Sequence, residues 1–145
     1  MQSNSYVIRF YNILKERKVL LVYIPLVVYW IVIFIATSLP TVSMPRLFDT
    51  QDKLEHFFAY FILGVLLVLT LHFQNKYIAL KQRPLFFSII FLILYAAFDE
   101  IHQYFIPGRY ADVLDWAADV LGGLAAVLFV KMFLHKVSVL HSTVE

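Results

Sequence analysis

Residues 99–123, "DEIHQYFIPGRYADVLDWAADVLGG", place Asp99, Glu100, His102, Gln103, Arg109, Asp112, Asp115 and Asp119 within twenty-one positions of a chain whose neighbouring stretches are almost wholly apolar. A second polar group, Asp52, Lys53, Glu55, His56 and Tyr60, opens another apolar stretch. Carboxylates and an imidazole can ligate a divalent cation, carry a proton, or bind amines and hydroxyls. Lys53 and Arg109 are the cations available to neutralise these acids or to grip a phosphate or carboxylate on a ligand, with Arg109 the natural counter-charge of the cluster.

The spacing gathers them. On helices, Asp52, His56 and Tyr60 follow i, i+4, i+8 and share a face, with Glu55 beside them. Asp99, His102 and Gln103 can share a face, and Asp112, Asp115 and Asp119 follow i, i+3, i+7. Bland roles compete with chemical ones. A carboxylate in a first helical turn gains about 0.3 to 1 kcal/mol from the helix dipole, which accounts for Asp49, Glu55 and Asp112 as surface or capping groups. Asp99 and Glu100 sit at a carboxyl end, where the dipole opposes them. Asp119 lies about 10 Å below Asp112 at ~1.5 Å per residue. A carboxylate at that depth costs about 2.5 to 3.5 kcal/mol unless it meets a partner or water. Glu100, Asp115 and Asp119 are therefore the candidates for function, and His56 is balanced between an interfacial anchor and a titrating or ligating group. His56, Glu100, Asp115 and Asp119 are the candidate metal ligands and the candidate catalytic groups. No His-Glu-x-x-His spacing supports them, and Asp99-Glu100-Ile101-His102 is only a weak mimic.

Other chemistries lack their residues. With no cysteine there is no disulfide framework, thiolate site or Cys nucleophile. Ser38, Ser43 and Ser88 have no nucleophile motif around them, and P-loop, Rossmann and haem signatures are absent. No organic cofactor is evident, and a divalent metal is compatible with the donor set.

The elements that must position these groups are membrane helices. The 145 residues are 61% hydrophobic and 15% charged, with mean hydropathy +0.77, well above the balance of a soluble domain. Four stretches suit a span of about 20 residues: Val19 to Leu39, Leu54 to Phe73, Leu85 to about Phe105, and about Val113 to Phe133. Short connections predict an all-α integral membrane bundle of four transmembrane helices with antiparallel neighbours. Pro84 fits a first turn, "IPG" at 106–108 supplies a turn, and Pro25 is placed to kink the first span. Ala118, Gly122 and Ala126 allow close backbone approach in the fourth, with Gly64, Ala96 and Ala97 as contact points. Tyr104, Tyr110 and Trp116 suit an outer aromatic belt, whereas His72, His135 and His141 belong to the opposite end.

Basic residues set the orientation. With a cytoplasmic N-terminus, Arg9, Lys15, Arg17, Lys18, Lys76, Lys81, Arg83, Lys131 and Lys136 fall inside against Arg46, Lys53 and Arg109 outside. Both termini are then cytoplasmic and the acids lie at the outer face, all but Glu16 and Glu145. The organisation is an amphipathic tail at 1–18 with Tyr6, Val7, Phe10, Tyr11 and Leu14 at helical spacing, a transmembrane domain at 19–136 and a tail at 137–145. Ala36, Thr37 and Ser38 have the form of a signal-peptide cleavage site, but the apolar run before them is long enough to span, and it is expected to remain uncleaved. The net charge of +2 does not suggest nucleic acid.

"DKLEHFFAYFILG" at 52–64, "DEIHQYFIPGR" at 99–109 and "DWAADVLGG" at 115–123 together resemble the VanZ-like membrane protein family, from Ser38 through the fourth span. The matching polar positions are Asp52, Lys53, His56, Tyr60, Glu100, Gln103, Arg109, Asp115 and Asp119; at the last, where the family often has Asn, this chain has Asp. The family's namesake is associated with low-level resistance to teicoplanin, a lipid-tailed glycopeptide acting at the outer membrane surface. The resemblance thus implies a bacterial cytoplasmic membrane protein whose outward polar pocket binds or modifies an envelope lipid, cell-wall precursor or lipophilic glycopeptide. Membrane lipids are expected partners and a homo-oligomer is compatible. Two other classes compete: a metal-dependent or acid–base hydrolase or transferase at the membrane surface, and a small proton-coupled transporter.

Because the chain has no cysteine, the orientation can be read by labelling single introduced thiols. Tyr110→Cys should react with an impermeant maleimide on intact cells, and Gln82→Cys only after permeabilisation; the reverse pattern overturns it.

Overall fold

The computed structural model describes residues 2–40 and 50–142. Ser43, Arg46, Asp49 and Glu145 lie outside the described residues, so the roles expected of them are not addressed by it. Helix α1 runs Gln2–Glu16, α2 Ile24–Ser38, α3 Gln51–Phe73, α4 Ile78–Gln82, α5 Pro84–Tyr104 and α6 Val113–Ser142, and no strand occurs among the described residues. Four helical segments are long and apolar enough to cross a membrane: Val19–Ser38, α3, α5 and α6. The chain is an all-α integral membrane bundle, as its apolar runs require.

The first span begins with a π-helical turn, Val19–Tyr23, in which the Ile24 N–H reaches back to the Val19 carbonyl. Pro25 supplies the reason. Its ring crowds the carbonyl four residues earlier and its nitrogen has no hydrogen, and a widened turn relieves both effects just ahead of it. Pro84 stands at the first position of α5, where a missing N–H leaves no bond unmade. At the other end of α5 the chain reverses through Ile106 N–H to Gln103 O and Arg109 N–H to Ile106 O, each 3.0 Å. Gly108 adopts φ 79°, a left-handed conformation that its lack of a Cβ makes accessible.

The leading segment is a helix laid against the bundle. Leu14 is buried, and Tyr11 packs on Phe73 and Phe133, its hydroxyl 3.2 Å from His72 Nε2. Tyr6 and Phe10 of the expected apolar face stay exposed, with the Phe10 ring edge-on to Phe133. Lys18 donates to the Phe73 carbonyl at 2.9 Å, closing the end of α3. Helix α6 is longer than its apolar run: it continues through Lys131, His135 and Lys136 to Ser142, with Val137 still buried. The stretch 137–142, expected as a tail, is thus helical, because a buried apolar position carries the periodicity past the membrane-spanning part.

Consecutive spans are antiparallel, which makes α3 and α6 parallel, and this non-consecutive pair is the most intimate in the bundle. His56 stands opposite Asp119, Phe57 opposite Gly122 and Gly64 opposite Ala126. A Cβ on Gly122 would overlap the Phe57 backbone carbonyl, and one on Gly64 would stand 2.7 Å from the Ala126 Cβ. Small residues recurring every fourth position on α6 select this neighbour, since in lipid close packing and not water exclusion draws helices together.

Gly122→Ala should destabilise the bundle by about 1 to 3 kcal/mol, because backbone must move. Gly123→Ala, which meets only the Leu92 side chain, should cost less. Unfolding of the two variants in detergent micelles checks the order.

Candidate functional site

The polar residues of α3, α5 and α6 meet at one end of the bundle in two layers. At the rim, Lys53 Nζ lies 2.5 Å from Asp115 Oδ1, 2.6 Å from Asp112 Oδ2 and 3.3 Å from Asp52 Oδ2, joining α3 to the start of α6. Asp112 also caps α6, its Oδ1 accepting the Leu114 N–H at 2.8 Å. Glu55 faces outward and accepts a bond from Gln51.

The second layer is buried. His56 Nδ1 is 3.0 Å from Asp119 Oδ1, and His56 Nε2 is 4.0 Å from Asp115 Oδ2. Glu100 Oε2 accepts the Asp112 N–H at 2.8 Å, tying the end of α5 to the start of α6. Gln103 Nε2 donates to Asp99 Oδ2 at 3.3 Å. Asp119 has no exposed surface, Asp99 and Tyr60 are 1% exposed and Glu100 7%. Even so, Asp99 Oδ1, Glu100 Oε1, Asp119 Oδ2 and the Tyr60 hydroxyl have no hydrogen-bond partner among the described residues. A buried polar atom left so is costly, about 1 to 3 kcal/mol and more for a charged group. His56, Glu100 and Asp119 each offer a ligand atom within 4.8 Å of the others.

The structure brings together nearly every residue the sequence nominated. Asp52, Lys53 and Asp115 form the rim; His56, Tyr60, Glu100 and Asp119 form the buried layer with Asp99; Gln103 braces it. Arg109 departs from its expected part. Its Nε donates to Leu39 O at 2.9 Å, Nη2 to Ala36 O at 2.8 Å and Nη1 to Gln103 Oε1 at 3.0 Å. Its bonds among the described residues go to neutral acceptors, because the turn at 105–108 aims it at the bare carbonyls ending α2. Lys53 is the counter-charge instead. Asp115, the fourth nominated metal ligand, is held by that lysine and stands outside the close triad.

Two further placements add to the sequence reading. His102, open there between the Asp99 face and the lipid headgroups, turns toward α2 and stacks on Phe34, ring centroids 5.0 Å apart. Trp116, expected in the aromatic belt, is half-buried with its indole N–H enclosed and without a partner among the described residues, while Tyr104 and Tyr110 are exposed as expected. Thr37 went unnoticed: it is buried beside the Asp99 carboxyl, its hydroxyl donating to Phe34 O at 3.2 Å. A hydroxyl at the polar end of an otherwise apolar span was the available signal, masked by its place in the small-residue triplet Ala36-Thr37-Ser38.

Four apolar spans, a basic end and an acid-rich buried cluster at the opposite end define a multi-pass membrane protein with a polar site enclosed by its helices. A family model described as VanZ/LLP1 matches residues 4–134, and the chain belongs to that family. The match takes in α1, which the three motifs left out. No curated protein and no solved structure matches the chain.

Asp112 lies just outside the spans, and the Lys53 ammonium, helped by the Leu114 N–H, holds its carboxyl below the ordinary range. Its contribution to stability is therefore fully present above the unfolded value near pH ~3.9 and is lost as pH falls through the lower folded value. Asp112→Asn should flatten that acid-side loss, as read by unfolding in detergent across the acidic range.

Proposed function

We propose that the polar end of the bundle binds the polar headgroup of an envelope amphiphile at the extracytoplasmic face of a bacterial cytoplasmic membrane, the candidates being a lipid, a cell-wall precursor or a lipophilic glycopeptide. The observation that carries this reading is the set of buried, unpartnered polar atoms on Asp99, Glu100, Asp119 and Tyr60. In a bilayer such atoms find neither water nor backbone, so a ligand supplying donors relieves them.

The chemistry of the ligand follows from which cations are already engaged. Lys53 is surrounded by Asp52, Asp112 and Asp115, and Arg109 is spent on carbonyls and an amide. The site is thus rich in acceptors and poor in free cations, which favours amine- and hydroxyl-bearing headgroups over bare phosphate. An apolar groove of about 350 Å³, lined by Val27, Trp30, Ile31, Phe34 and Tyr95, lies alongside. Tyr95 stacks on Tyr60, centroids 5.9 Å apart, so an acyl chain in the groove leaves its headgroup near the cluster. Proton-coupled transport is less well supported, because the core toward the basic end is lined by Leu67, Val68, Leu71, Val127 and Val130 with no chain of ionisable groups among the described buried residues.

Purified protein in nanodiscs should bind teicoplanin and an aminoacylated phosphatidylglycerol more tightly than plain phosphatidylglycerol. Asp119→Asn should weaken that binding by about tenfold, on the order of one hydrogen bond to a charged group. Equal affinity for the three amphiphiles, or an unaltered Asp119→Asn variant, overturns the reading.

A further inference from the structure

We propose that His56, Glu100 and Asp119 form a site for a divalent transition metal ion, Zn²⁺ first among them, at the floor of the polar cluster. The site goes beyond the headgroup reading and does not depend on it.

Geometry comes first. Three ligand atoms within 4.8 Å of one another leave a centre no more than about 2.8 Å from each, against the ~2.0 to 2.2 Å of Zn²⁺ bonds to imidazole and carboxylate. Side-chain adjustments of at most about 0.6 to 0.8 Å close that difference, within the reach of small rotamer changes. All three stand on separate helices, α3 and α6 in backbone contact and α5 packed on both through Leu92, so the approach needs no change of fold.

The two carboxylates each have a free coordinating atom and a held one. Glu100 Oε2 is anchored by the Asp112 N–H, leaving the unpartnered Oε1 for the ion. Asp119 keeps Oδ2 unpartnered at complete burial. His56 presents Nδ1 toward Asp119 and Nε2 toward Asp115. Protein metal sites usually place the imidazole's second N–H on a carboxylate; Asp115, 4.0 Å from Nε2, stands beyond hydrogen-bond distance and would have to close on it. Lys53, on the far oxygen of Asp115, fixes that outer carboxylate in turn.

Charge gives the second argument. Asp99, Glu100 and Asp119 bring three buried carboxylates together, and the basic groups that act on them are His56, on all three, and His102, on Asp99. A dication with a neutral imidazole balances the two ligating carboxylates, Glu100 and Asp119, as a low-polarity site favours, and leaves Asp99 to the Gln103 amide. Three protein ligands leave a coordination position open, and the Tyr60 hydroxyl, buried and unpartnered, faces the same acids. In the loaded protein a headgroup meets the ion and Asp99 in place of Glu100 and Asp119.

The test uses full-length protein in nanodiscs, stripped with chelator and then equilibrated with Zn²⁺, Mn²⁺ or Mg²⁺. Mass spectrometry should find one Zn²⁺ per chain, and Co²⁺ loading should give the visible absorption of a low-coordinate nitrogen and oxygen site. Asp119→Asn, Glu100→Gln and His56→Ala should each weaken Zn²⁺ by more than the roughly 10- to 100-fold that loss of an outer-shell partner costs. Glu55→Gln, an exposed acid, should leave it unchanged. Helicity confirms that each variant folds; should one not, the wild-type Co²⁺ spectrum and a rise in thermal stability on Zn²⁺ addition decide. Sub-stoichiometric metal in the reloaded wild type, or equal losses in Glu55→Gln and Asp119→Asn, overturns the site. Headgroup binding by metal-free protein that takes up no Zn²⁺ defeats this proposal alone, whereas stoichiometric Zn²⁺ without headgroup binding defeats only the functional reading.

Discussion

The close approach of α3 and α6 at Gly122 governs the rest of the molecule. There the backbone of one helix lies against the Phe57 carbonyl of the other with no room for a side chain. His56 precedes Phe57, and Asp119 stands one turn before Gly122, so the same contact that joins the helices sets the 3.0 Å between imidazole and carboxylate. Steric and polar constraints here coincide within a single helical turn. A pair of flexible side chains could hold such a distance only at a cost in entropy; two helices in backbone contact impose it.

Lipid makes the arrangement consequential. A soluble protein can leave a stray carboxylate facing water, but a membrane bundle has water only at its ends. The acids therefore collect at one end, where the helices also terminate. The rim and the floor solve different problems. At the rim, Lys53 binds three carboxylates that solvent also reaches, so its bonds hold α3 to α6 in a screened setting. At the floor, the acids are buried and hydrogen bonds among the described residues are fewer than the acceptors present, so each unpaired oxygen weighs more than it would at the rim.

Much of this was written into the order of residues. The spans were legible because hydropathy over about 20 residues reports on bilayer thickness directly. The convergence of Asp52, His56 and Tyr60 with Glu100, Asp115 and Asp119 followed from helical spacing, and the small residues of α6 forecast which helix surface would be approached most closely. Partners across helices were less legible. Spacing places Arg109 in a turn beside an acidic cluster, and Coulombic attraction then suggests a carboxylate; it does not reveal that α2 ends nearby with unsatisfied carbonyls. Trp116 was misjudged similarly and His102 could not be placed, since rotation of one helix against its neighbour separates the groove from the lipid face. Pro25 announced a distortion, but the form it takes, a widened turn ahead of it, depends on how the chain distributes the strain.

The Arg109 contacts bear on how the protein is made. The carbonyls of Ala36 and Leu39 receive their donor from a residue 73 and 70 positions further along the chain. The span at 19–38 therefore depends, for the donors at its far end, on a turn encoded some 70 residues later. Without the α5–α6 hairpin those carbonyls would have only interfacial water to meet, so that hairpin finishes a helix it does not adjoin in sequence.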